Sequence, residues 1–159
     1  MPRASPMTDP RTAERADPVE PAGVSRRVFA GEIPELRELS RWARDLCAAA
    51  GVAEEVALDL EVCLNELAAN VMLHGRDQAG PRSFSVALET AADGVRAVIE
   101  DAGPPFDPTQ VPERPAAASL EALTFGGYGL PIVRGLARNL RYARDGDTNV
   151  LAFEVGGRP

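Results

Sequence analysis

The stretch GVRAVIEDAGPPFDP, residues 94–108, decides the fold of this chain. Its first half is typical of a β-strand, and the turn signal Asp93-Gly94 predicts a hairpin with the strand before it. Its second half begins, at residues 101–105, with a carboxylate, a glycine and two prolines, which a strand inside a sheet does not continue through. We therefore predict that the strand ends at Asp101, with Gly103 close behind it. An ordinary turn is one interpretation of this ending, and a binding site is the other.

The segments on either side predict an alternation of helices and hairpins. Strands are predicted at 25–30, 83–90, 95–101, 140–144 and 148–155, helices at 33–51 and about 53–74, and a glycine-rich turn entering a helix at 126–140. Because the helices and hairpins are partly segregated, this order predicts an α+β fold. We expect a two-layer sandwich, in which a mixed, mostly antiparallel sheet is covered on one face by helices.

Length and composition limit the class of protein. The 159 residues fit one domain, which we assign to residues 25–157, with a disordered, proline-rich tail at residues 1–24. The net charge of −7 argues against bulk electrostatic attraction to nucleic acid. No apolar run is long enough to span a membrane, and no signal segment is visible, so we expect a cytoplasmic protein. Cys47 and Cys63 are expected to be buried free thiols.

The second helix carries a row of polar side chains on one face. Glu66, Asn70 and His74 are spaced four residues apart, so they lie above one another beside the apolar row of the same helix. A carboxylate and a carboxamide in this arrangement would serve as a base and an oxygen ligand for Mg²⁺. A solvated helix face is the alternative. For His74 we favour a helix-end residue that interacts with the last carbonyls over a catalytic group.

A glycine run precedes the last helix, and a long loop precedes the glycines. Gly126, Gly127 and Gly129 would let phosphate approach the backbone N–H groups at a helix N-terminus, although a flexible turn explains them equally well. A Walker A loop is excluded because the chain contains no lysine. The segment 104–125 has five prolines, and irregular loops of this length are usually functional or disordered.

Three motifs taken together suggest a family. NELAAN (65–70), DAGPPFDP (101–108) and FGGYGLPIVRGLA (125–137) occur in this order, with the long loop between the last two. The combination resembles the gyrase, chaperone and histidine-kinase ATP-binding superfamily and, within it, the small anti-sigma factor serine-protein kinases of bacteria. The resemblance covers about residues 25–155 and implies that ATP and Mg²⁺ are bound.

The resemblance implies a role for each matching residue. Asp101 would accept a hydrogen bond from the exocyclic amine of adenine, Gly103 would let the ring pack close, and Thr148 matches the threonine of a terminal strand motif. Asn70 would orient the metal, and Glu66 would be the catalytic residue, as a general base or as a group that orients the attacking hydroxyl.

The same resemblance assigns the phosphate side and the mobile part of the site. Gly126, Gly127, Gly129 and Leu130 match the motif G-G-x-G-L, which would bind nucleotide. The segment 104–125 would be an ATP lid, hinged at Gly126 and Gly127.

Two classes of function follow. The first is an anti-sigma factor with serine/threonine-protein kinase activity, which phosphorylates an anti-sigma factor antagonist protein and holds a sigma factor when unopposed. The second is a nucleotide-gated protein-binding module without effective transfer. A homodimer is implied by the resemblance alone. The first helix adds a row of Arg37, Arg41 and Arg44, which is either a solvated face or a docking row for an acidic partner.

Overall fold

A computed structural model describes residues 23–74, 82–112 and 129–157 of the chain. The elements along it are β1 (Val24–Phe29), α1 (Glu35–Ala49), α2 (Glu54–His74), β2 (Phe84–Ala91), β3 (Gly94–Asp101), α3 (Gly129–Leu136), β4 (Arg138–Asp145) and β5 (Thr148–Gly156). The predicted order of helices and strands is confirmed. Residues 1–22 of the predicted tail and residues 113–125 of the predicted lid lie outside the described part of the chain.

The strands form one five-stranded sheet in the order β1-β2-β3-β5-β4. All four pairings are antiparallel, so no parallel pair makes the sheet mixed within the described residues. β3 and β5 are neighbours near the middle of the sheet, and their register pairs Asp101 with Asn149. The end of β3 therefore meets the beginning of β5 at one edge of the helix layer, which is where the site forms.

The core lies between the helices and one face of the sheet. Phe29, Phe84 and Phe153 are its largest side chains, and each is at most 2% exposed. The apolar stripe of α2 meets them, with Leu60 and Leu64 fully buried, as the helical spacing predicts. Burying a side chain of this size stabilises the fold by about 1.5–3 kcal/mol. The prediction of a two-layer α+β sandwich is confirmed.

The last helix is shorter than the sequence pattern predicts. α3 ends at Leu136, where the N–H of Ala137 closes the final turn on the carbonyl of Val133 at 2.7 Å. Arg138 already pairs with Glu154 of β5, so residues 138–140 belong to the sheet rather than to the helix. Asn139 has a φ of 53°, in the left-handed region where asparagine is tolerated, beside the register shift of this edge strand.

The outer face of α1 carries the predicted arginine row. Arg41 pairs with Glu38 at 3.1 Å and Arg44 pairs with Glu61 of α2 at 3.6 Å, while Arg37 has no ion pair within the described residues. The three arginines line a groove of about 410 Å³ between α1 and α2. Among the described helices, none combines the length and the apolar character that crossing a membrane requires.

Candidate functional site

A pocket opens where α2 faces the ends of β3 and β5, and we call it the Asp101 pocket. Its walls are Leu67, Asn70, Val71, His74, Ile99, Asp101, Phe106, Pro108, Tyr142, Asn149 and Leu151. They come from α2, the three C-terminal strands of the sheet and the loop after β3. The cavity measures about 30 Å³, above the roughly 10–15 Å³ that one water molecule requires. The pocket is mostly apolar, with a carboxylate and two amides among its walls.

Asp101 is held in place by two hydrogen bonds to the same oxygen. Its Oδ1 accepts from the backbone N–H of Gly103 at 2.8 Å and from Nδ2 of Asn149 at 3.0 Å. The bond to Gly103 is an Asx turn, so the carboxylate itself makes the chain turn where β3 stops. Within the described residues, Oδ2 accepts no hydrogen bond, which leaves one oxygen free for a ligand.

Asn149 is the buried partner of Asp101, and no motif in the sequence pointed to it. Its side chain also contacts Tyr142, Arg144 and the carbonyls that follow Asp101. Thr148, predicted on the adenine side, pairs with Asp145 at the hairpin turn and is not among the residues that line the Asp101 pocket. The reason is the alternation of side chains along a strand, which points Thr148 to the face opposite Asn149.

The loop after β3 is anchored at its base. Oδ1 of Asp107 accepts hydrogen bonds from the backbone N–H of Thr109 at 2.9 Å and from its hydroxyl at 2.6 Å. Arg134 of α3 donates to the carbonyls of Pro108 and Val111 at 3.1 and 2.6 Å. The beginning of the predicted lid is therefore tied to the last helix by an arginine that no motif singled out.

An aromatic stack lies at the mouth of the pocket. The rings of His74 and Phe106 lie 4.0 Å apart between centroids, with 17° between their planes. His74 is the last residue of α2, as predicted, and is exposed, but within the described residues it makes no hydrogen bond to the last carbonyls and stacks on Phe106. Phe106 follows Asp101 by five residues, so the loop folds back over the pocket and brings its ring onto α2. The stack therefore forms part of the pocket wall.

Glu66 and the glycine run meet at the beginning of α3. A Cβ at Gly129 would overlap Oε2 of Glu66, so the backbone of Gly129 lies directly against this carboxylate. Glu66 is half-buried, and it is not among the residues that line the Asp101 pocket. Leu130 packs against the edge of the core. Gly126 and Gly127 lie outside the described residues.

Asn70 is the predicted metal ligand that the structure brings to the pocket. It is half-buried one helical turn after Glu66, and its side-chain amide makes no hydrogen bond within the described residues. No cluster of three or more histidine, cysteine or acidic side chains suited to a metal occurs among these residues. A metal here would therefore depend on the oxygen of Asn70 together with oxygens that the ligand and water supply.

The two cysteines are not candidates for a nucleophile. Both are free and buried in the core. Burial raises the pKa of the Cys47 thiol, and burial followed by the negative charge of Asp59 raises the pKa of Cys63 to about 12. Since the thiolate is the reactive form, neither side chain reacts readily at neutral pH. The prediction of buried free thiols is confirmed.

Comparison with known proteins identifies the fold and the family. The family model of the histidine kinase-like ATPase domain matches residues 29–154. The chain is 30% identical over 100 residues to the serine/threonine-protein kinase BtrW of Bordetella bronchiseptica, covering 63% of this chain and 70% of that protein. It also resembles the crystal structure of the RsbU and RsbW domains of Rv1364c from Mycobacterium tuberculosis, with a TM-score of 0.59 and 18% identity. That match covers 87% of this chain and 34% of the longer one.

Proposed function

We propose that this chain, which belongs to the histidine kinase-like ATPase domain family, binds ATP with Mg²⁺ in the Asp101 pocket. It transfers phosphate to a serine or threonine of a small anti-sigma factor antagonist protein, and it holds a sigma factor when the antagonist is absent. The proposal rests on one observation above all: Asp101, a fixed carboxylate whose second oxygen accepts no hydrogen bond within the described residues, lines an apolar pocket whose wall also carries Asn70.

The adenine end of the pocket is suited to a base with an exocyclic amine. An ionised carboxylate only accepts hydrogen bonds, so Oδ2 of Asp101 selects a donor such as this amine. Leu67, Val71 and Leu151 line the same pocket as the carboxylate and would contact the faces of a purine ring. These side chains supply the apolar contact, and Asp101 fixes the orientation of the base, as in most small-molecule sites.

The entrance has to widen when nucleotide binds. A cavity of about 30 Å³ is far below the several hundred Å³ that ligand pockets usually offer. Phe106 is the wall best placed to move, because it belongs to the loop, whereas His74 belongs to the long helix α2. We therefore assign the opening motion to the residues around Phe106, between the Asp101 turn and the anchor that Arg134 provides.

The phosphate end lies towards Asn70 and Glu66. Mg²⁺, when bound, neutralises charge on the phosphates, and oxygen ligands such as that of Asn70 suit it. Glu66 lies one turn away on the same face of α2, so its carboxylate is suited to orient the acceptor hydroxyl and to take its proton. Gly129 holds that carboxylate at the N-terminus of α3.

The protein partners follow from the relatives rather than from the pocket. A protein that is 30% identical over 100 residues is named a serine/threonine-protein kinase, and 34% of the chain that carries the RsbU and RsbW domains shares the fold. We extend the kinase activity to this chain, together with a homodimeric state and the exchange between a sigma factor and its antagonist.

One observation favours a second candidate, a nucleotide-gated binding module without effective transfer. Glu66 does not line the Asp101 pocket, and its carboxylate rests on Gly129 instead. A base held away from the phosphates would leave binding intact and transfer slow. Incubation with radiolabelled ATP and the antagonist separates the two candidates, because only a kinase labels the antagonist on serine or threonine. Absence of ATP binding in titration calorimetry would contradict both.

A further inference from the structure

The side chain of Asn149 is saturated with hydrogen bonds inside the protein. It is 5% exposed. Its Oδ1 accepts from the hydroxyl of Tyr142 and from Nη1 of Arg144, each at 2.8 Å. Its Nδ2 donates to Oδ1 of Asp101 and to the carbonyl of Pro104, each at 3.0 Å. Both donors and both lone pairs of the amide are therefore in use.

The orientation of this amide follows from its partners. Arg144 only donates, so the atom that faces it must be the amide oxygen. Asp101 and the carbonyl of Pro104 accept, so the atom that faces them must be the nitrogen. A flipped amide would place a donor against a donor on one side and acceptors against an acceptor on the other. The network thus admits one arrangement, and in that arrangement Asn149 has no free group for a ligand.

We infer that Asn149 is a positioning residue, which locks the carboxylate of Asp101 and thereby sets a preference for adenine over guanine. This inference rests on the proposed function. Two donors occupy Oδ1, so the carboxylate presents Oδ2 alone. A single accepting oxygen suits the exocyclic amine of adenine, whereas guanine carries a carbonyl at the equivalent position of the ring.

Loss of the Asn149 donor would change how many accepting oxygens Asp101 presents to a ligand. Only the N–H of Gly103 would then hold Oδ1, and the carboxylate would turn more freely. A carboxylate with both oxygens available accepts two parallel hydrogen bonds, which match the adjacent N1–H and amino group of guanine. We therefore expect binding of ATP to weaken and binding of GTP to weaken less or to improve.

The test compares Asn149→Val with Asn149→Thr, two variants of the same shape that differ in one hydroxyl donor. Calorimetry measures the affinity of each folded variant for ATP and GTP. We expect Asn149→Val to lose about ten- to a hundredfold in ATP affinity, with the ratio of ATP to GTP affinity at least tenfold lower. Asn149→Thr should retain part of that ratio. Asn139→Gly is the control, since it removes an exposed asparagine bonded to Glu154 and suits the positive φ there.

A double variant shows whether the effect passes through Asp101. Asn149→Val added to Asp101→Asn should weaken ATP binding no further than Asp101→Asn alone, because the group that Asn149 positions is already altered. If Asn149→Val does not fold, Tyr142→Phe loosens the same amide and should lower the affinity ratio in the same direction.

Three results overturn the inference. Wild-type affinity in Asn149→Val would show that Asp101 needs no second donor. An equal loss for ATP and GTP would show a structural role alone. Wild-type protein that binds no ATP would remove the proposed function and this inference with it, whereas the first two results leave the proposed function intact.

Discussion

The Cα of Gly129 lies directly against the carboxylate of Glu66, so the first residue of α3 sets the position of the proposed base. No other residue type fits here without movement, because any Cβ would overlap Oε2. The glycine that the motif G-x-G-L contributes at this point is therefore explained by the neighbouring carboxylate as well as by any contact with phosphate. This packing gives the first prediction.

Gly129→Ala should displace the carboxylate of Glu66 with little loss of stability, because the atoms that a Cβ would overlap are the far end of a flexible side chain. Phosphate transfer should fall more than ATP affinity, since Asp101 and Asn70 are not touched. Gly135→Ala in the same helix is the matched control, because a Cβ there meets nothing within 4 Å. It should stabilise by about 0.5–1 kcal/mol. Thermal unfolding and a transfer assay compare the two, and equal effects would contradict the packing argument.

Asp101→Asn should weaken ATP binding by roughly 1–3 kcal/mol, because a charged acceptor becomes a neutral amide. The new amide also places a possible donor next to Nδ2 of Asn149, which disturbs the same hydrogen bond. Titration calorimetry measures the loss. Asp145→Asn, at the exposed hairpin turn, serves as the control and should bind like the wild type. Unchanged affinity in Asp101→Asn would remove the carboxylate from the site.

Glu66→Gln should leave ATP affinity nearly intact and slow phosphate transfer roughly 10²–10⁴-fold, the usual effect of a positioned base. Glutamine has the same shape, so it keeps the contact with Gly129 while it loses the capacity to take a proton. Glu55→Gln, on the exposed first turn of α2, is the matched control. Transfer at the wild-type rate in Glu66→Gln would favour the binding module.

Arg37→Glu combined with Arg41→Glu should slow association with an acidic protein partner, and the effect should be larger at low salt than at high salt. Arg37 is the arginine of the α1 row that has no ion pair within the described residues, so its charge is available to a partner. Surface plasmon resonance with the sigma factor and with the antagonist measures the rates. Arg96→Glu with Arg141→Glu, on the opposite face of the sheet, makes the same change in net charge. Equal slowing by both pairs would show that net charge alone matters.

Cys63 should make the protein less stable at alkaline pH. The folded pKa is about 12 while the ordinary value is 9.0, so the unfolded chain loses this proton first. The free energy of unfolding should therefore fall as pH rises from about 9 towards about 12. Urea unfolding over this range measures the slope, and Cys63→Ala should show a smaller one. An identical slope in both proteins would mean that the thiol does not contribute.

The sequence was sufficient for the parts of the site that depend on local structure. The end of β3 at Asp101 is predictable because a carboxylate, a glycine and prolines stop a strand, and the shared face of Glu66 and Asn70 follows from helical spacing, although only Asn70 of these two lines the Asp101 pocket. Asn149 required knowledge of which face of β5 is buried. The alternation of Leu151, Phe153 and Val155 indicates which face of β5 is buried. Asn149 lies on the same face because it is two residues before Leu151.

The remaining contacts depend on pairing over long distances along the chain. Arg134 reaches carbonyls 23 to 26 residues earlier, and the stack of His74 on Phe106 joins the end of a helix to a loop. No periodicity reports such contacts, because they follow from how the loop closes over the helix layer. The same is true of the end of α3, where pairing with β5 overrides the helical pattern of residues 137–140.

The pairing of β3 with β5 also has a consequence for the order of folding. Asp101 and Asn149 are 48 residues apart, so their hydrogen bond forms only after a large loop has closed. The β2–β3 hairpin can form early because its contacts are local. Asp101 at its end has no bond to Asn149 until the β4–β5 hairpin docks against β3. A nucleotide that binds only the docked state would stabilise it by mass action and leave earlier intermediates untouched. The supply of nucleotide in the cell would thus affect the yield of the last folding step. Added nucleotide should lower the rate constant of unfolding more than it raises the rate constant of the early collapse.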